Sequence, residues 1–175
     1  MKISAIIQQC AAVERMISEI YRIFATRWPN GPIGEFWRNL ADDEVGHGIL
    51  LDSIGSLPAA DREEASITEA KIAHIRELVE RCFTRDEPSL DGAFEIALDV
   101  EDIELDNIYR RLLAMTVSDP HMANACKSAM GQVDRHVEKL LDMIEKASDD
   151  PILRQRAAER HRRVVRTAAE HSVAE

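Results

Sequence analysis

Cysteine is scarce in this chain, and its three copies, Cys10, Cys82 and Cys126, are far apart in the sequence. No C-x-x-C pair is present, which argues against a disulfide framework and against a metal site built from paired thiolates. A reducing, cytoplasmic location is the simplest interpretation of such cysteine usage. The N-terminal stretch MKISAIIQQC also has too short an apolar segment for a secretory signal.

Positive charge and long hydrophobic runs are lacking as well. The 22 Lys and Arg residues stand against 32 Asp and Glu, and the net charge of −10 argues against a nucleic-acid or anionic-membrane partner. No run of about 18 apolar residues occurs, so no membrane span is predicted. With 175 residues, 45% of them hydrophobic, the chain is long enough for one domain, residues 1–175, with a sizeable core.

Strand patterns are absent, whereas apolar residues recur at threes and fours along most of the chain. This periodicity predicts helices over residues 4–27, 33–54, 61–85, 90–117, 120–147 and 152–170, separated by clusters of helix-breaking residues. Asp followed by Pro at 119–120 and at 150–151 is typical of a helix start. The predicted fold class is all-α: two antiparallel helix hairpins over about residues 3–147, joined by a long crossover with its own helix, and a C-terminal helix.

The helix over residues 37–51, WRNLADDEVGHGILL, carries the clearest chemical pattern. Glu44 and His47 are spaced i, i+3, so they lie on one helical face and can bind one metal ion together. Glu-x-x-His on facing helices is the ligand unit of di-iron and di-manganese bundles. An exposed Glu beside a core His is the alternative, and a lone motif does not decide between them. Gly46 and Gly48 flank the histidine and suggest a need for close approach or space.

The rise of a helix gives an independent test of this site. Glu14 and Glu44 are roughly 13 and 11 residues from the first turn, so both should lie about 17–20 Å from that end of the bundle. Glu101 and His136 are each roughly 16 residues, or about 24 Å, from the second turn. The candidate ligands are therefore level within each hairpin. Glu14 and Glu101 also lie in apolar patterns, where an unpaired carboxylate is costly and a cation would remove that cost.

Four stretches together, VERMISEIY, FWRNLADDEVGHGILL, ALDVEDIEL and QVDRHVEKLL, resemble rubrerythrin-type proteins of the ferritin-like superfamily. The resemblance covers about residues 3–147 and implies a ferritin-like four-helix bundle that binds two irons. The metal ligands that it implies are Glu14, Glu44, His47, Glu101, Glu104 and His136. We assign Glu104 and Tyr21 as candidate catalytic residues. The resemblance also implies at least a homodimer.

Two departures from that family affect the expected chemistry. The final Glu-x-x-His of the family requires Glu at position 133, where this chain has Val133, and the nearby Gln132 offers a weaker amide ligand. One metal position is therefore expected to be poorly held, or the site holds a single ion. Oxygen ligands with two imidazoles suit iron or manganese, and zinc also fits. The chain lacks the rubredoxin domain with its two C-x-x-C units, so a redox cycle needs an external electron donor.

Three functions are compatible with these residues. The first is an oxidoreductase that reduces hydrogen peroxide or activates oxygen at a di-iron carboxylate centre. The second is a non-catalytic protein for iron binding or sensing, which Val133 favours. The third is a structural bundle with a vestigial metal site.

The remaining polar residues receive less specific expectations. Tyr21 and Tyr109 could hydrogen-bond to ligating carboxylates, or they are plain core aromatics. Cys10 is expected to be a small buried hydrophobe. The basic run at residues 154–166 is expected to be a solvated helix face lying on acidic helices, with partner binding as the minority interpretation. The other histidines are expected at the surface: His74, His121, His161 and His171.

Overall fold

A computed structural model describes residues 2–56, 88–107 and 120–172 and four single positions, 73, 76, 77 and 80. Its description covers side chains except those of residues 102–107, 120–134 apart from Asn124, and 163–172. Within these ranges the chain is all-helical, without a β-strand. The helices are α1 (Ile3–Arg27), α2 (Gly31–Gly55), α3 (Leu90–Asn107), α4 (Pro120–Ala147) and α5 (Pro151–Ser172).

The predicted helix boundaries are confirmed to within about two residues wherever both ends are described. The predicted crossover helix over 61–85 lies outside the described residues, apart from four helical and exposed positions. The end near residue 117 that is predicted for the helix starting at residue 90 also lies outside them. In the described part of the chain, no helix combines the length and apolar character that crossing a membrane requires.

Residues 28–30 connect α1 to α2, and the connection is shorter than the cluster of breaker residues suggests. The predicted start of α2 near Ile33 is two residues late, because Pro32 lies in the first helical turn, where its missing N–H is not needed. Gly31 has φ of +68°, a left-handed conformation that glycine adopts without strain. A Cβ at Gly34 would overlap with the carbonyl oxygen of Trp28, so a glycine is required at that position.

The close approach expected around Gly46 and Gly48 is not found. A Cβ at Gly46 would meet nothing within 4 Å, and one at Gly48 would lie 3.5 Å from the Ala11 carbonyl oxygen, an ordinary contact. Neither glycine is therefore demanded by a neighbouring group. The tight packing that needs glycine lies instead at Gly34, at the entry of the helix.

α1 packs along α2 as a helical hairpin, while α4 contacts α2, α3 and α5. Every apolar residue predicted to face inward on α1 is buried: Ile6, Val13, Ile17, Ile20 and Phe24. Aromatic rings from three helices meet beside these apolar residues of α1, and Trp37 contacts Phe24, Phe36 and Phe94. Each such fully buried apolar side chain stabilises the fold by about 1.5–3 kcal/mol. The core therefore fixes the helices on which the polar residues described below are carried.

α5 begins where the sequence predicts. Oδ1 of Asp150 accepts hydrogen bonds from the backbone N–H groups of Ile152, at 2.8 Å, and Leu153, at 3.3 Å, as an N-cap does. Arg156 extends from α5 to Asp99 of α3 at 2.8 Å, in agreement with a basic face lying on an acidic helix. The expectation of a solvated face is wrong at Arg160, which is buried because it continues the inward-facing stripe of α5.

Candidate metal centre

Four helices bring five ligand-type side chains into the interior. Each of them is buried: Glu14 of α1, Glu44 and His47 of α2, Glu101 of α3, and His136 of α4. They form two groups, Glu14–Glu44–His47 and Glu44–Glu101–His136, and in each group the potential ligand atoms lie within 4.8 Å of one another. Each group could hold a metal ion, and Glu44 belongs to both.

The rise of a helix predicted that Glu14 lies at the same height in the bundle as Glu44, and Glu101 at the same height as His136. Both predictions are confirmed. Glu14 and Glu44 meet across the α1–α2 hairpin, and Nδ1 of His136 lies 3.1 Å from Oε1 of Glu101. One turn along the hairpin, the Ser18 hydroxyl donates a 2.8 Å hydrogen bond to the Ala41 carbonyl oxygen. This buried bond is one of the contacts that join α1 to α2 near Glu14 and Glu44.

Glu44 lies at the centre of the arrangement, with one oxygen directed to each histidine. Its Oε2 is 3.0 Å from Nδ1 of His47, and its Oε1 is 3.1 Å from Nδ1 of His136. Since Glu101 approaches the same nitrogen of His136, two carboxylates converge on one imidazole. The exposed fraction of the Glu44 and His136 side chains is 0% and 1%, so these contacts are made away from water.

The electrostatics of Glu44 and His136 follow from this convergence. Burial alone would raise the pKa of Glu44, but hydrogen bonds with His136 and His47 and the charge of His136 lower it below its usual range. Burial alone would lower the pKa of His136, yet the charges of Glu101 and Glu44 raise it well above 6.5. Without a metal ion, an imidazolium therefore offsets part of the buried negative charge.

Tyr21 contributes a hydrogen bond to this centre, one of the two roles expected for it. Its hydroxyl donates to Oε1 of Glu101 at 3.0 Å. The Tyr21 ring stacks on Trp37, with 5.8 Å between ring centroids and an interplanar angle of 28°, so α2 holds the ring in place. The hydroxyl thus orients a candidate ligand, whereas a catalytic role for Tyr21 stays a prediction.

The chemistry of the donor set fits a metal ion. Oε2 of Glu101 is buried and has no hydrogen-bond partner among the residues that the structure describes. Three buried carboxylates and two imidazoles would be costly to keep out of water without compensating cations. Oxygen ligands combined with imidazole suit iron, manganese or zinc. The arrangement could therefore bind metal in either group without new ligands.

Several predicted residues lie outside the described side chains. Glu104 is in the helical backbone of α3, and Gln132 and Val133 are in that of α4, but their side chains are not described; Tyr109 lies outside the described residues altogether. The same applies to the side chains of His74, His121 and His171, whereas His161 is exposed as predicted. The structure brings together the other five predicted ligands.

Cys10 behaves as the small buried hydrophobe expected of it. The thiol is free and buried. Burial, and then the nearby charge of Glu14, raise its pKa to about 12. A thiol with such a pKa stays protonated at neutral pH in the absence of a metal ion.

Sequence reasoning missed two charged residues beside the centre. Oδ2 of Asp43 lies 3.7 Å from Nε2 of His136 and 2.8 Å from Nζ of Lys139, so a partly exposed carboxylate faces the outer side of that imidazole. Arg160 donates from Nη2 to the main-chain oxygen of Glu101 at 3.4 Å. The position of Arg160, three residues after Ala157 and seven after Leu153, was the available signal, because that spacing continues one helical face.

Comparison of the chain with protein-family models, with curated proteins and with solved structures finds no match. The possible chemistry of the chain therefore rests on its own residues, foremost on the two groups that share Glu44.

Proposed function

We propose that this protein is a di-metal carboxylate protein, with iron as the preferred metal, and that it works as a rubrerythrin-like oxidoreductase. The sharing of Glu44 between two buried three-ligand groups carries the proposal. A carboxylate with one oxygen toward each group is the chemical unit that can hold two cations side by side. A buried ion pair that only stabilises the fold would not need a second three-ligand group next to it.

The arrangement of the helices supports a ferritin-like bundle as part of this proposal. In such bundles, ligands project inward from each of four helices, with Glu-x-x-His units on two of them. Here Glu14, Glu44, Glu101 and His136 come from four successive described helices, and Glu44 with His47 forms one such unit. The proposal includes a homodimer, which the resemblance of the sequence implies.

The chain's own residues would hold and orient the metals. Glu14 and His47 belong to one position, Glu101 and His136 belong to the other, and Glu44 lies between the two positions. Tyr21 fixes Oε1 of Glu101 and keeps a proton at its hydroxyl beside the site. Glu104 is proposed as a further ligand and, with Tyr21, as a catalytic residue.

A bound pair of iron ions would supply the redox chemistry that reduces hydrogen peroxide or activates oxygen. The proposal includes an electron donor outside these 175 residues, which contain no C-x-x-C unit for a second iron site. The buried apolar layer around Trp37 would limit access of water to the reacting groups.

A structural bundle with a vestigial site is the second candidate, and the position of His136 favours it. Its Nδ1 lies 3.1 Å from carboxylate oxygens of both Glu44 and Glu101, so an imidazolium already stands between two anions. A metal-binding protein without turnover is intermediate between the two candidates. The oxidoreductase, the binding protein and the structural bundle differ in metal content and in the response of bound iron to peroxide.

Metal analysis after anaerobic reconstitution with Fe²⁺ tests the proposal. We expect about two irons per chain, or one if the position without Glu at 133 is weak. Glu44→Gln should lose iron from both positions, whereas Glu35→Gln, an exposed change on the same helix, should bind like the wild type. A wild-type chain that stays free of iron would contradict metal binding and leave the structural bundle.

Peroxide separates the remaining alternatives. If the protein is an oxidoreductase, hydrogen peroxide should oxidise the reduced iron rapidly, and a chemical reductant should restore it for further turnovers. Iron that is bound firmly but reacts no faster than free Fe²⁺ in the same buffer would identify a binding or sensing protein.

A further inference from the structure

Arg160 is buried on the helix that follows the proposed metal-binding helices. Its exposed fraction is 7%, whereas Arg154 and Arg162 of the same helix are exposed. Arginine is almost never fully buried unless it is paired. One contact of Arg160 is a hydrogen bond in which Nη2 donates to the main-chain oxygen of Glu101, at 3.4 Å. The acceptor thus belongs to a residue of the metal centre.

The packing of α5 explains how Arg160 reaches that position. Leu153 and Ala157 are buried, and Arg160 follows them on the same face of the helix. One turn earlier, Arg156 pairs with Asp99 at 2.8 Å, two residues before Glu101 on α3. Two successive arginines therefore attach α5 to the turn of α3 that carries Glu101.

Glu101 is consequently held at both ends. Tyr21 and His136 contact its carboxylate, and Arg160 holds its main-chain oxygen. We infer that Arg160 is a positioning residue for the Glu44–Glu101–His136 group and that α5 is a functional part of the metal centre. This inference rests on the proposed metal-binding function. The Glu14–Glu44–His47 group lies on α1 and α2 and receives no ligand from α3, so Arg160 acts on one metal position.

Two opposite effects of Arg160 are physically conceivable. A guanidinium near a cation repels it and would weaken metal binding. A guanidinium that holds the main chain keeps the carboxylate within reach of the metal and strengthens binding. The hydrogen bond goes to the main-chain oxygen of Glu101 rather than to its carboxylate. Placement of the helix is therefore the dominant effect, and removal of Arg160 should weaken one metal position.

The test isolates each position before Arg160 is changed. Co²⁺ is titrated into the full chain, and its visible absorption reports both occupancy and coordination geometry. His47→Gln leaves the group that contains Glu101, and His136→Gln leaves the group that contains Glu14. Arg160→Met is then added to each background, because methionine keeps the aliphatic volume but removes the charge and the donors. Arg162→Gln, an exposed change on the same helix, is the matched control.

In the His47→Gln background, Arg160→Met should lower the Co²⁺ affinity about tenfold and shift the Co²⁺ spectrum. In the His136→Gln background, it should change the affinity by no more than about twofold. Arg160→Lys, which keeps the charge but loses the planar fork, should recover part of the loss. Arg162→Gln should leave both affinities and both spectra unchanged.

Other outcomes overturn the inference. An equal loss in both backgrounds would show a general effect on folding, which circular dichroism and melting of Arg160→Lys check independently. A gain in affinity for Arg160→Met would show that charge repulsion dominates. If the wild type and both single-histidine variants bind no Co²⁺, the proposed metal-binding function is wrong, and this inference is wrong as well. Normal wild-type binding with an unaffected Arg160→Met overturns the inference alone.

Discussion

The Tyr21 hydroxyl donates a 3.0 Å hydrogen bond to Oε1 of Glu101 and so joins the first helix to the third inside the core. The two residues are 80 positions apart in the chain. Because His136 contacts the same carboxylate oxygen, the orientation of Glu101 depends on both neighbours. In the proposed metal centre, a ligand held in this way would already be oriented before a metal ion binds.

Replacement of Tyr21 tests this arrangement. Tyr21→Phe keeps the ring on Trp37 but removes the donor to a buried carboxylate, so the metal-free protein should lose about 1.5–3 kcal/mol of stability in urea unfolding. The affinity of the group containing Glu101 should fall about tenfold. Ser18→Ala is the control, since it removes a buried hydrogen bond that touches no candidate ligand. An equal effect of both variants on metal affinity would contradict a specific role for Tyr21.

The pH dependence of stability without metal follows from the shifted pKa values of two residues. The pKa of Glu44 is lowered from 4.5, so its stabilising contribution is present above pH 4.5 and is lost as the pH falls. The pKa of His136 is raised from 6.5, so its contribution is complete below pH 6.5 and is lost as the pH rises through the raised value. When the protein is kept free of metal by a chelator, Glu44 and His136 should both contribute to its stability between pH 4.5 and 6.5.

Urea unfolding across this pH range measures the effect. His136→Gln carries no titrating ring, so the decline of stability on the alkaline side should disappear in that variant. A wild-type stability that rises steadily from pH 6.5 to about pH 9 would contradict the charged state assigned to His136.

Metal binding should release a proton at neutral pH. A metal ligand must be an unprotonated imidazole, whereas the carboxylates beside His136 keep it charged in the metal-free protein. The apparent affinity of the group containing Glu101 should therefore rise with pH, by up to about tenfold per unit below the pKa of His136. Calorimetry in buffers of different ionisation enthalpy counts the protons. Binding heats that do not depend on the buffer would show that His136 is neutral beforehand.

The two helical glycines at positions 34 and 46 should respond oppositely to alanine. Gly34→Ala would drive a Cβ into the Trp28 carbonyl oxygen, so the α1–α2 connection must shift, at a cost of about 1–3 kcal/mol or more. Gly46→Ala meets nothing within 4 Å and should stabilise the helix by about 0.5–1 kcal/mol. Melting temperatures of the two variants make the comparison, and equal shifts would refute it.

The α1–α2 part of the site could be predicted from the sequence because a short connection makes positions along two helices calculable. Glu14 and Glu44 are level for that reason, and the same calculation placed Glu101 near His136. Helical periodicity likewise identified the buried face of α1. These results depend on local geometry and on the rise of a helix, which the sequence determines directly.

Arg160 and Asp43 could not be found in this way. Arginines in a basic run are usually solvated. Although Arg160 continues the face of Leu153 and Ala157, its burial depends on how α5 packs on α3, a tertiary relationship that this spacing does not determine. Asp43 reaches the outer side of His136 because α2 and α4 are in contact, although the two residues are far apart in sequence. The need for glycine at Gly34 arises from the path of residues 28–30, which periodicity does not describe.

Val133 should make the two metal positions unequal. It lies on α4 one turn before His136, where the resemblance calls for a carboxylate, whereas Glu44 and His47 form a complete unit on α2. Fewer anionic ligands neutralise a cation less well, so iron or manganese titrated into the metal-free chain should show one tight and one weak site, or one site. Two equally tight sites would show that this departure has no consequence.

Introduction of the missing carboxylate at position 133 tests whether its absence weakens one metal position. Val133→Glu should raise the metal stoichiometry or the affinity of the weaker position, because residues three apart on a helix lie on one face. The apolar stripe of the sequence predicts that position 133 faces inward, so in the absence of metal the added charge should lower the melting temperature, and metal should restore it. Glu138→Gln, an exposed change two residues after His136, serves as the control for charge alone. If Val133→Glu destabilises the protein by several kcal/mol and gains no metal, Val133 is an ordinary core residue, and Gln132 or Glu104 already completes the ligand set.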